Sequence, residues 1–202
     1  PVNKGITENV NNCLTAASGD YIVRIDSDDM LLPQYIERLS SLLSQYTNAG
    51  YAHASIQEID SNDAHTKKRI LFRNDEFQDA ETALKAALKG YRVAANILMF
   101  RKEALEKVGF LKSKKNFAED FYLAAEITAA GYGNVYCKEI LACYRVWSDS
   151  KNVRNKRKIE EINGMAAVYD EVLYPAYTQR GWDTTIINKE KERRAIGFCD
   201  SL

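Results

Sequence analysis

The first 45 residues alternate between the spacing of a helix and that of a strand, and this order restricts the fold most. Val10, Leu14 and Ala17 recur at intervals of four and three, which is typical of an amphipathic helix. Residues 21–25 (YIVRI) then form a short β-rich run that ends in aspartates. Pro33 follows, in what the pattern predicts to be the first turn of a second helix. Helix, strand, acidic loop and helix in this order predict an α/β sheet.

The rest of the chain continues this alternation. Further strands are predicted at 51–59, 69–72 and 136–147, and helices at 79–89, 102–108 and 118–131. Beyond residue 148 the character changes to a basic segment that runs into a helix and ends in a charged tail. We therefore predict an α/β domain over residues 1–150 and a charged helical extension over residues 151–202.

The overall composition excludes several classes of protein. Of the 202 residues, 46% are hydrophobic, which is enough for a large core and too many for a disordered chain. The 28 basic and 28 acidic residues cancel, so bulk charge does not favour binding to nucleic acid. The four cysteines are scattered without a CxxC pair, which is typical of reduced thiols and not of a zinc site. Because no apolar run is long enough to span a bilayer either, we predict a cytoplasmic protein.

The sequence IDSDD places three aspartates within four positions, directly after the first predicted strand. Asp26 and Asp28 are two residues apart, so in an extended loop their side chains project to the same side. Two carboxylates about 6 Å apart repel by roughly 0.7 kcal/mol in water, and a divalent cation, which prefers oxygen ligands, removes that penalty. Ligands of open α/β sheets bind beyond the carboxyl ends of the strands, where this loop falls. The residues alone leave a second interpretation open, a solvated turn that caps the next helix.

A second acidic pair, Glu119 and Asp120, stands at the start of the helix predicted at 118–131. Acidic side chains in a first helical turn stabilise the helix dipole by a few tenths of a kcal/mol up to about 1 kcal/mol. This structural role is enough to explain the pair if the residues are taken alone. A phosphoryl-transfer domain would share the acidic loop but needs a glycine-rich phosphate-binding loop, which the sequence does not contain.

The stretch NKGITENVNNCLTAASGDYIVRIDSDDMLLPQYI resembles the middle of family-2 glycosyltransferases of the GT-A fold. These enzymes carry an N-x-G, a helix, an A-x-G-x-Y-I strand and then a D-x-D motif. The resemblance implies that Asp26 and Asp28 are the D-x-D pair and hold Mn²⁺ or Mg²⁺ against the diphosphate of a nucleotide-sugar, with a UDP-sugar as the expected donor. Asp29 would instead cap the next helix. Lys4, near the N-x-G, is the remaining candidate for a nucleotide contact.

The second acidic pair also fits this family, which has E-D followed by leucine and, one helix later, G-Y. The matching residues here are Glu119, Asp120, Leu123, Gly131 and Tyr132. In inverting members the aspartate is the general base that takes the proton of the acceptor hydroxyl as it attacks C1 of the sugar. The resemblance therefore implies that Asp120 is the base and that Glu119 binds the acceptor or orients the helix. The implied activity is hexosyl transfer to a saccharide or lipid-linked acceptor, as in polysaccharide biosynthesis.

Some positions depart from the family pattern. Ala94 and Ala95 stand where the family often has glycine, and Trp147 replaces a common histidine in the pattern Y-R-V-H. Trp147 could stack on an acceptor sugar ring or simply pack against its neighbours, and we predict packing. Residues 151–158 contain five cations, which indicate either a segment that contacts an anionic lipid carrier or membrane surface or closes over the donor diphosphate, or an ion-paired helix start. The first interpretation would place the protein at the periphery of the cytoplasmic membrane.

The resemblance covers residues 3–150 and omits the first strands of the family, which grip the nucleotide. We therefore expect the chain to be the C-terminal part of an enzyme that, taken alone, binds a nucleotide-sugar weakly or not at all and is inactive. Without those strands, the strand at 21–25 would have a bare edge that invites pairing with a second copy, giving a homo-oligomer. The alternative to an enzyme is a non-catalytic carbohydrate-binding or assembly module that retains the architecture.

Overall fold

The structure, a computed structural model, describes residues 5–90, 97–112, 117–147 and 156–199. Within them one mixed sheet contains the strands β1 (Tyr21–Arg24), β2 (Met30–Leu31), β3 (Ala49–Ile59), β4 (His65–Arg69), β5 (Phe77–Gln78), β6 (Leu98–Arg101) and β7 (Gly133–Arg145). The helices are α1 (Ile6–Ala16), α2 (Tyr35–Gln45), α3 (Ala80–Ala87), α4 (Lys102–Val108), α5 (Glu119–Ala129), α6 (Lys158–Ala167), α7 (Tyr174–Gln179) and α8 (Thr185–Cys199). A π-helical stretch, Val168–Leu173, joins α6 to α7. Among these helices none has the length and apolar character that crossing a membrane requires.

The topology of the sheet brings three strand ends together. The strand order is β1-β6-β3-β7-β2, with β4 paired to β3 and β5 paired to β7. β6 is antiparallel to both β1 and β3, while β3 is parallel to β7. β1, β3 and β7 therefore run in the same direction, and their C-terminal ends lie at one edge of the sheet. β1 is the outermost strand on its side, so its outer edge is unpaired within the described part of the chain.

Helices cover both faces of this sheet, which confirms the predicted mixed α/β architecture. On one face α2 buries Leu39 and Leu43 completely in a cluster with Ile56 of β3. On the other face α1, α4 and α5 pack together, with Leu105 of α4 and Phe100 of β6 at the centre. Each such side chain contributes about 1.5–3 kcal/mol when it is fully buried. This two-sided core fixes the strand ends that carry the candidate site.

The C-terminal helices form a third apolar cluster with the α/β part. Val168, Tyr169 and Leu173 are fully buried there, against Leu84 of α3 and Phe121 of α5. Although residues 156–199 are rich in charge, these apolar side chains recur on one side and provide the contact. The C-terminal helices therefore brace α5, whose first two residues are the predicted second acidic pair.

The strand predicted at 69–72, after the one at 51–59, was placed wrongly. The apolar residues at 69–72 predicted it, whereas β4 covers His65–Arg69 and its side chains are almost all exposed. β4 pairs with β3 through the backbone, for example Lys68 with Gln57. A solvent-facing strand held by backbone hydrogen bonds needs no apolar residues, so hydrophobic periodicity does not detect it.

Candidate active site

The D-x-D loop, residues 26–28, follows the C-terminal end of β1 and is held by backbone contacts. The N–H of Asp29 donates to the carbonyl oxygen of Asp26 at 3.1 Å, which closes a tight turn. Asp29 Oδ1 accepts the backbone N–H of Arg145, the last residue of β7, at 2.9 Å. Asp29 therefore does not cap the next helix as predicted, because α2 begins at Tyr35 and has no side-chain cap. Its carboxylate instead ties the loop to β7.

The side chain of Arg145 holds the same loop. Its Nε donates to the carbonyl oxygen of Asp28 at 3.0 Å. Its Nη1 and Nη2 donate at 2.6 Å to the carbonyl oxygen of Asp60 and to Oδ1 of Asp63, in the turn between β3 and β4. The side chain is only 12% exposed, so these bonds compensate for the burial of its charge. Arg145 therefore fixes the D-x-D loop relative to two strands of the sheet.

Trp147 contacts the loop directly. Its Nε1 donates to Oδ2 of Asp28 at 2.7 Å, and the guanidinium of Arg145 lies 5.8 Å from its ring centroid. The residue is 59% exposed, so the prediction that Trp147 simply packs is wrong. A hydrogen bond to a carboxylate is among the stronger ones in proteins, and this one restrains the rotamer of Asp28.

The two acidic sites, about ninety residues apart in the sequence, meet across Arg24. This residue is the last of β1, and its side chain is 11% exposed. Its Nη2 donates to Oε1 of Glu119 at 3.2 Å and lies 3.7 Å from Oδ1 of Asp26. One guanidinium thus links the D-x-D loop to the first turn of α5, and its charge opposes the repulsion between the two carboxylates.

Asp120 lies beside this link, at the start of α5, and is partly buried. Burial raises the pKa of its carboxyl to about 6, and the nearby charge of Glu119 adds to the rise. The backbone N–H of Phe121, which donates to Asp120 Oδ1 at 2.7 Å, and the charge of Arg24 act in the opposite direction. A carboxylate whose pKa lies close to neutral is suited to general acid–base catalysis.

A cavity of about 980 Å³ opens beside the D-x-D loop, between α1 and β1. Asp26 and Asp28 line one wall, and Asn9 and Cys13 of α1 line another. Small-molecule sites in proteins usually measure about 300–1,000 Å³. The two loop carboxylates therefore border a space large enough for a nucleotide-sized ligand.

Asp26 and Asp28 have the donor chemistry for a hard divalent cation but do not complete a site by themselves. Across residues 5–90, 97–112, 117–147 and 156–199, no three His, Cys, Asp or Glu side chains come together as a metal-binding group. Mg²⁺ is commonly held by one or two carboxylates together with substrate phosphates and water. Because Asp26 is 47% exposed beside the cavity, the two carboxylates fit that kind of site.

Several predicted residues lie outside the described part of the chain. These are Lys4, Ala94, Ala95 and the first cations of the basic segment at 151–158. Conversely, the sequence analysis missed Arg24 and Arg145. A signal was present for Arg24, because it interrupts an otherwise apolar strand, where a charge requires a partner.

Comparison with known proteins agrees with this geometry. A family model described as glycosyl transferase family 2 matches residues 1–109, which is just over half of the chain. The chain belongs to glycosyl transferase family 2. The match includes the D-x-D loop and ends before the acidic pair at the start of α5. No curated protein sequence matches the chain significantly.

Solved glycosyltransferase structures share the fold of this family member. S. aureus TarS 1–349, in complex with UDP-GlcNAc, aligns with a TM-score of 0.56 at 12% identity, over 86% of this chain and 53% of the TarS 1–349 chain. Mannosyltransferase PcManGT from Pyrobaculum calidifontis, in complex with GDP-Man and Mn²⁺, aligns with a TM-score of 0.55 at 15% identity, over 94% of this chain and 49% of the mannosyltransferase. The chain thus spans about half the length of either structure. These similarities confirm the predicted GT-A fold.

Proposed function

We propose that this chain carries the catalytic core of an inverting, metal-dependent glycosyltransferase. It moves a sugar from a nucleotide-diphosphate donor, expected to be a UDP-sugar, to a saccharide or lipid-linked acceptor. The observation that carries the proposal is the bridge through Arg24, which contacts Asp26 of the D-x-D loop and Glu119 beside Asp120. A single displacement at C1 of the sugar requires the donor site and the base to be neighbours.

The D-x-D loop supplies the donor end of the site. Asp26 and Asp28 would hold Mn²⁺ or Mg²⁺ together with the donor diphosphate, and a bound cation would offset the negative charge that grows on that leaving group. The contacts of Arg145 and Trp147 keep the loop in one conformation before the donor arrives. Such preorganisation lowers the cost of binding, because the loop need not be ordered at that moment.

Asp120 supplies the base. Its carboxylate accepts the proton of the acceptor hydroxyl while the hydroxyl oxygen forms a bond to C1 and the bond from C1 to the diphosphate oxygen breaks. Attack from the side opposite the leaving group inverts the configuration at C1. Burial of Asp120 supports this role, since it raises the pKa of the carboxyl to about 6 and so increases its basicity.

Glu119 has a positioning role in this proposal. Its carboxylate is 13% exposed and accepts from Arg24, so it anchors the first turn of α5 to β1. Its negative charge also helps to raise the pKa of Asp120.

The remaining expectations about partners stay predictions. A lipid-linked acceptor agrees with a membrane contact of residues 151–158, although two described cations there, Arg157 and Lys158, pair with Glu160 and Glu161 at i, i+3. We likewise propose a cytoplasmic, membrane-peripheral location and pairing of the β1 edge with a second copy.

Substitution of the two acidic sites tests the proposal in the full-length protein. Asp120→Asn is expected to lower the rate of sugar transfer at least 1,000-fold while Mn²⁺-dependent binding of UDP is retained. Asp26→Asn should abolish that binding, as measured by calorimetry. Retained transfer by Asp120→Asn refutes the base, whereas a wild-type protein that binds UDP but transfers no sugar identifies the alternative, a non-catalytic carbohydrate-binding module.

A further inference from the structure

A second cavity, of about 780 Å³, lies between β3, α3 and α5. It shares no lining residue with the cavity beside the D-x-D loop. It adjoins the proposed base, because Phe121, the next residue after Asp120, lines it. A molecule in this cavity would therefore lie against the helix that carries Asp120 and outside the donor cavity.

Small side chains create the space. The small residues in its lining are Ala83, Ala86 and Ala87 of α3, Gly90 shortly after α3, and Ala124 and Ala125 of α5. Protein interiors are packed so closely that voids larger than a water molecule are few. The volume of this cavity lies within the range of small-molecule sites.

A buried polar group in the lining lacks a partner. His53 is 3% exposed, and its Nδ1 has no hydrogen-bond partner among the described residues. Burial lowers the pKa of this imidazole to about 3, and the charge of Arg73 contributes, so the ring is neutral at physiological pH. An unsatisfied buried polar atom is destabilising, and a ligand hydroxyl that donates to Nδ1 would satisfy it.

The charge of the cavity has one sign. Its charged lining residues are Arg73, Lys85 and Lys89, and none of the described lining residues is acidic. Arg73 donates to neutral oxygens, including Oδ1 of Asn134 at 2.6 Å, and forms no ion pair within the described residues. Burial lowers the pKa of its guanidinium. The cavity therefore carries positive charge that none of its described lining residues neutralises, which favours an anionic ligand.

We propose that this cavity binds the acceptor, and that the acceptor is a phosphate-bearing sugar or polyol. Its hydroxyls meet Nδ1 of His53, its phosphate meets the cations of the cavity, and its carbon skeleton packs on the rings of Tyr51 and Phe121. This inference rests on the proposed transferase function, since it identifies the class of acceptor for the same base.

Binding of a minimal probe to the 202-residue chain tests the proposal without any transfer reaction. sn-Glycerol 3-phosphate is titrated by calorimetry against the wild type, a Lys85→Gln/Lys89→Gln double variant and Ala86→Leu, whose larger side chain would fill the exposed rim. Lys67→Gln/Lys68→Gln on exposed β4 is the matched control, and thermal unfolding verifies that each variant folds. We expect at least tenfold weaker binding in the first two variants and no change in the control, with the ¹⁵N signal of His53 Nδ1 shifting in the wild type.

Two further arms identify where the phosphate comes from. Competition by soluble oligomers of glycerol phosphate would support a polymer-borne acceptor, and competition by phosphatidylglycerol vesicles, with phosphatidylcholine vesicles as the blank, would support a lipid-borne one. If the probe binds equally to all variants, or not at all, the proposal is overturned. That outcome leaves the Asp120→Asn test of the transferase function intact, so the two failures are distinguishable.

Discussion

The D-x-D loop and the start of α5 are held in place by different forces. Hydrogen bonds from Arg145 and Trp147 restrain the loop, and Asp26 within it remains half exposed. Apolar packing of the C-terminal helices against Phe121 braces α5, and the carboxyl of Asp120 is partly buried. A group that exchanges a metal and a nucleotide needs access to solvent, whereas a base gains strength from losing it.

The difference between the two regions supports the proposal that the loop aspartates and the helix aspartate have different roles. The loop aspartates border a cavity, where the proposed cation would bind. The aspartate on the helix is pushed towards its neutral form, so it can take up a proton near neutral pH. Arg24 joins the two regions. Its positive charge lowers the pKa of Asp120 and so limits the rise that burial causes.

Loss of the Arg145 side chain should have the largest effect on the loop. Arg145→Gln removes a nearly buried guanidinium with bonds to three residues, and we expect about 2–4 kcal/mol lower unfolding free energy. Binding of UDP with Mn²⁺ should weaken at least tenfold. The control is Arg193→Gln, whose pair with Glu190 is exposed and worth under about 1 kcal/mol. Equal stability of the two variants in urea would contradict the claim that the hydrogen bonds of Arg145 hold the D-x-D loop.

The burial of Asp120 predicts a pH-dependent stability difference. Because its folded pKa is raised from 3.8 to about 6, its favourable contribution is present in full below about pH 4 and is lost as the pH rises through 6. Asp120→Asn should therefore be more stable than the wild type at pH 8, by of order 2 kcal/mol, and gain much less at pH 4. Denaturant unfolding at both pH values measures this, with exposed Asp75→Asn as the control. A destabilised Asp120→Asn at pH 8 would show that the ionised carboxylate is well solvated.

Removal of the Trp147 hydrogen bond should have the smallest effect of the three. Trp147→Phe keeps an aromatic ring but loses the donor to Asp28, so we expect three- to tenfold weaker Mn²⁺-dependent binding of UDP, about 1 kcal/mol. Trp182→Phe, which alters a tryptophan packed on Tyr177 far along the chain, serves as the control. Unchanged affinity in Trp147→Phe would mean that the bond does not position the loop.

The elements that have a local sequence pattern could be predicted from the sequence. Helical spacing located α1 and the exact span of α4, and the β-rich run before the aspartates located β1. It missed β4, because an exposed strand held by backbone bonds carries no apolar pattern. The prediction of a metal-binding loop and a base, in place of two ordinary helix starts, rests on the family resemblance and not on periodicity.

The contacts that organise the site could not be predicted, because they join residues remote in the sequence. Arg24 meets Glu119 across 95 positions, and Trp147 meets Asp28 across 119. The burial of Asp120 also depends on the packing of the surrounding helices, which no local pattern reports. Trp147, which replaces a histidine of the family pattern, was therefore predicted to pack, whereas its indole N–H donates to Asp28.

The pH dependence of sugar transfer in the full-length protein tests the central claim most directly. If Asp120 is the base, the rate at saturating donor, measured with Mn²⁺ and a UDP-sugar, should fall tenfold per pH unit below about pH 6 and level off above it. Binding of UDP should not follow that curve, and Asp120→Asn should be inactive at every pH. A rate that stays constant from pH 7 to pH 4.5, or an Asp120→Asn enzyme with the same acid limb, would contradict the account.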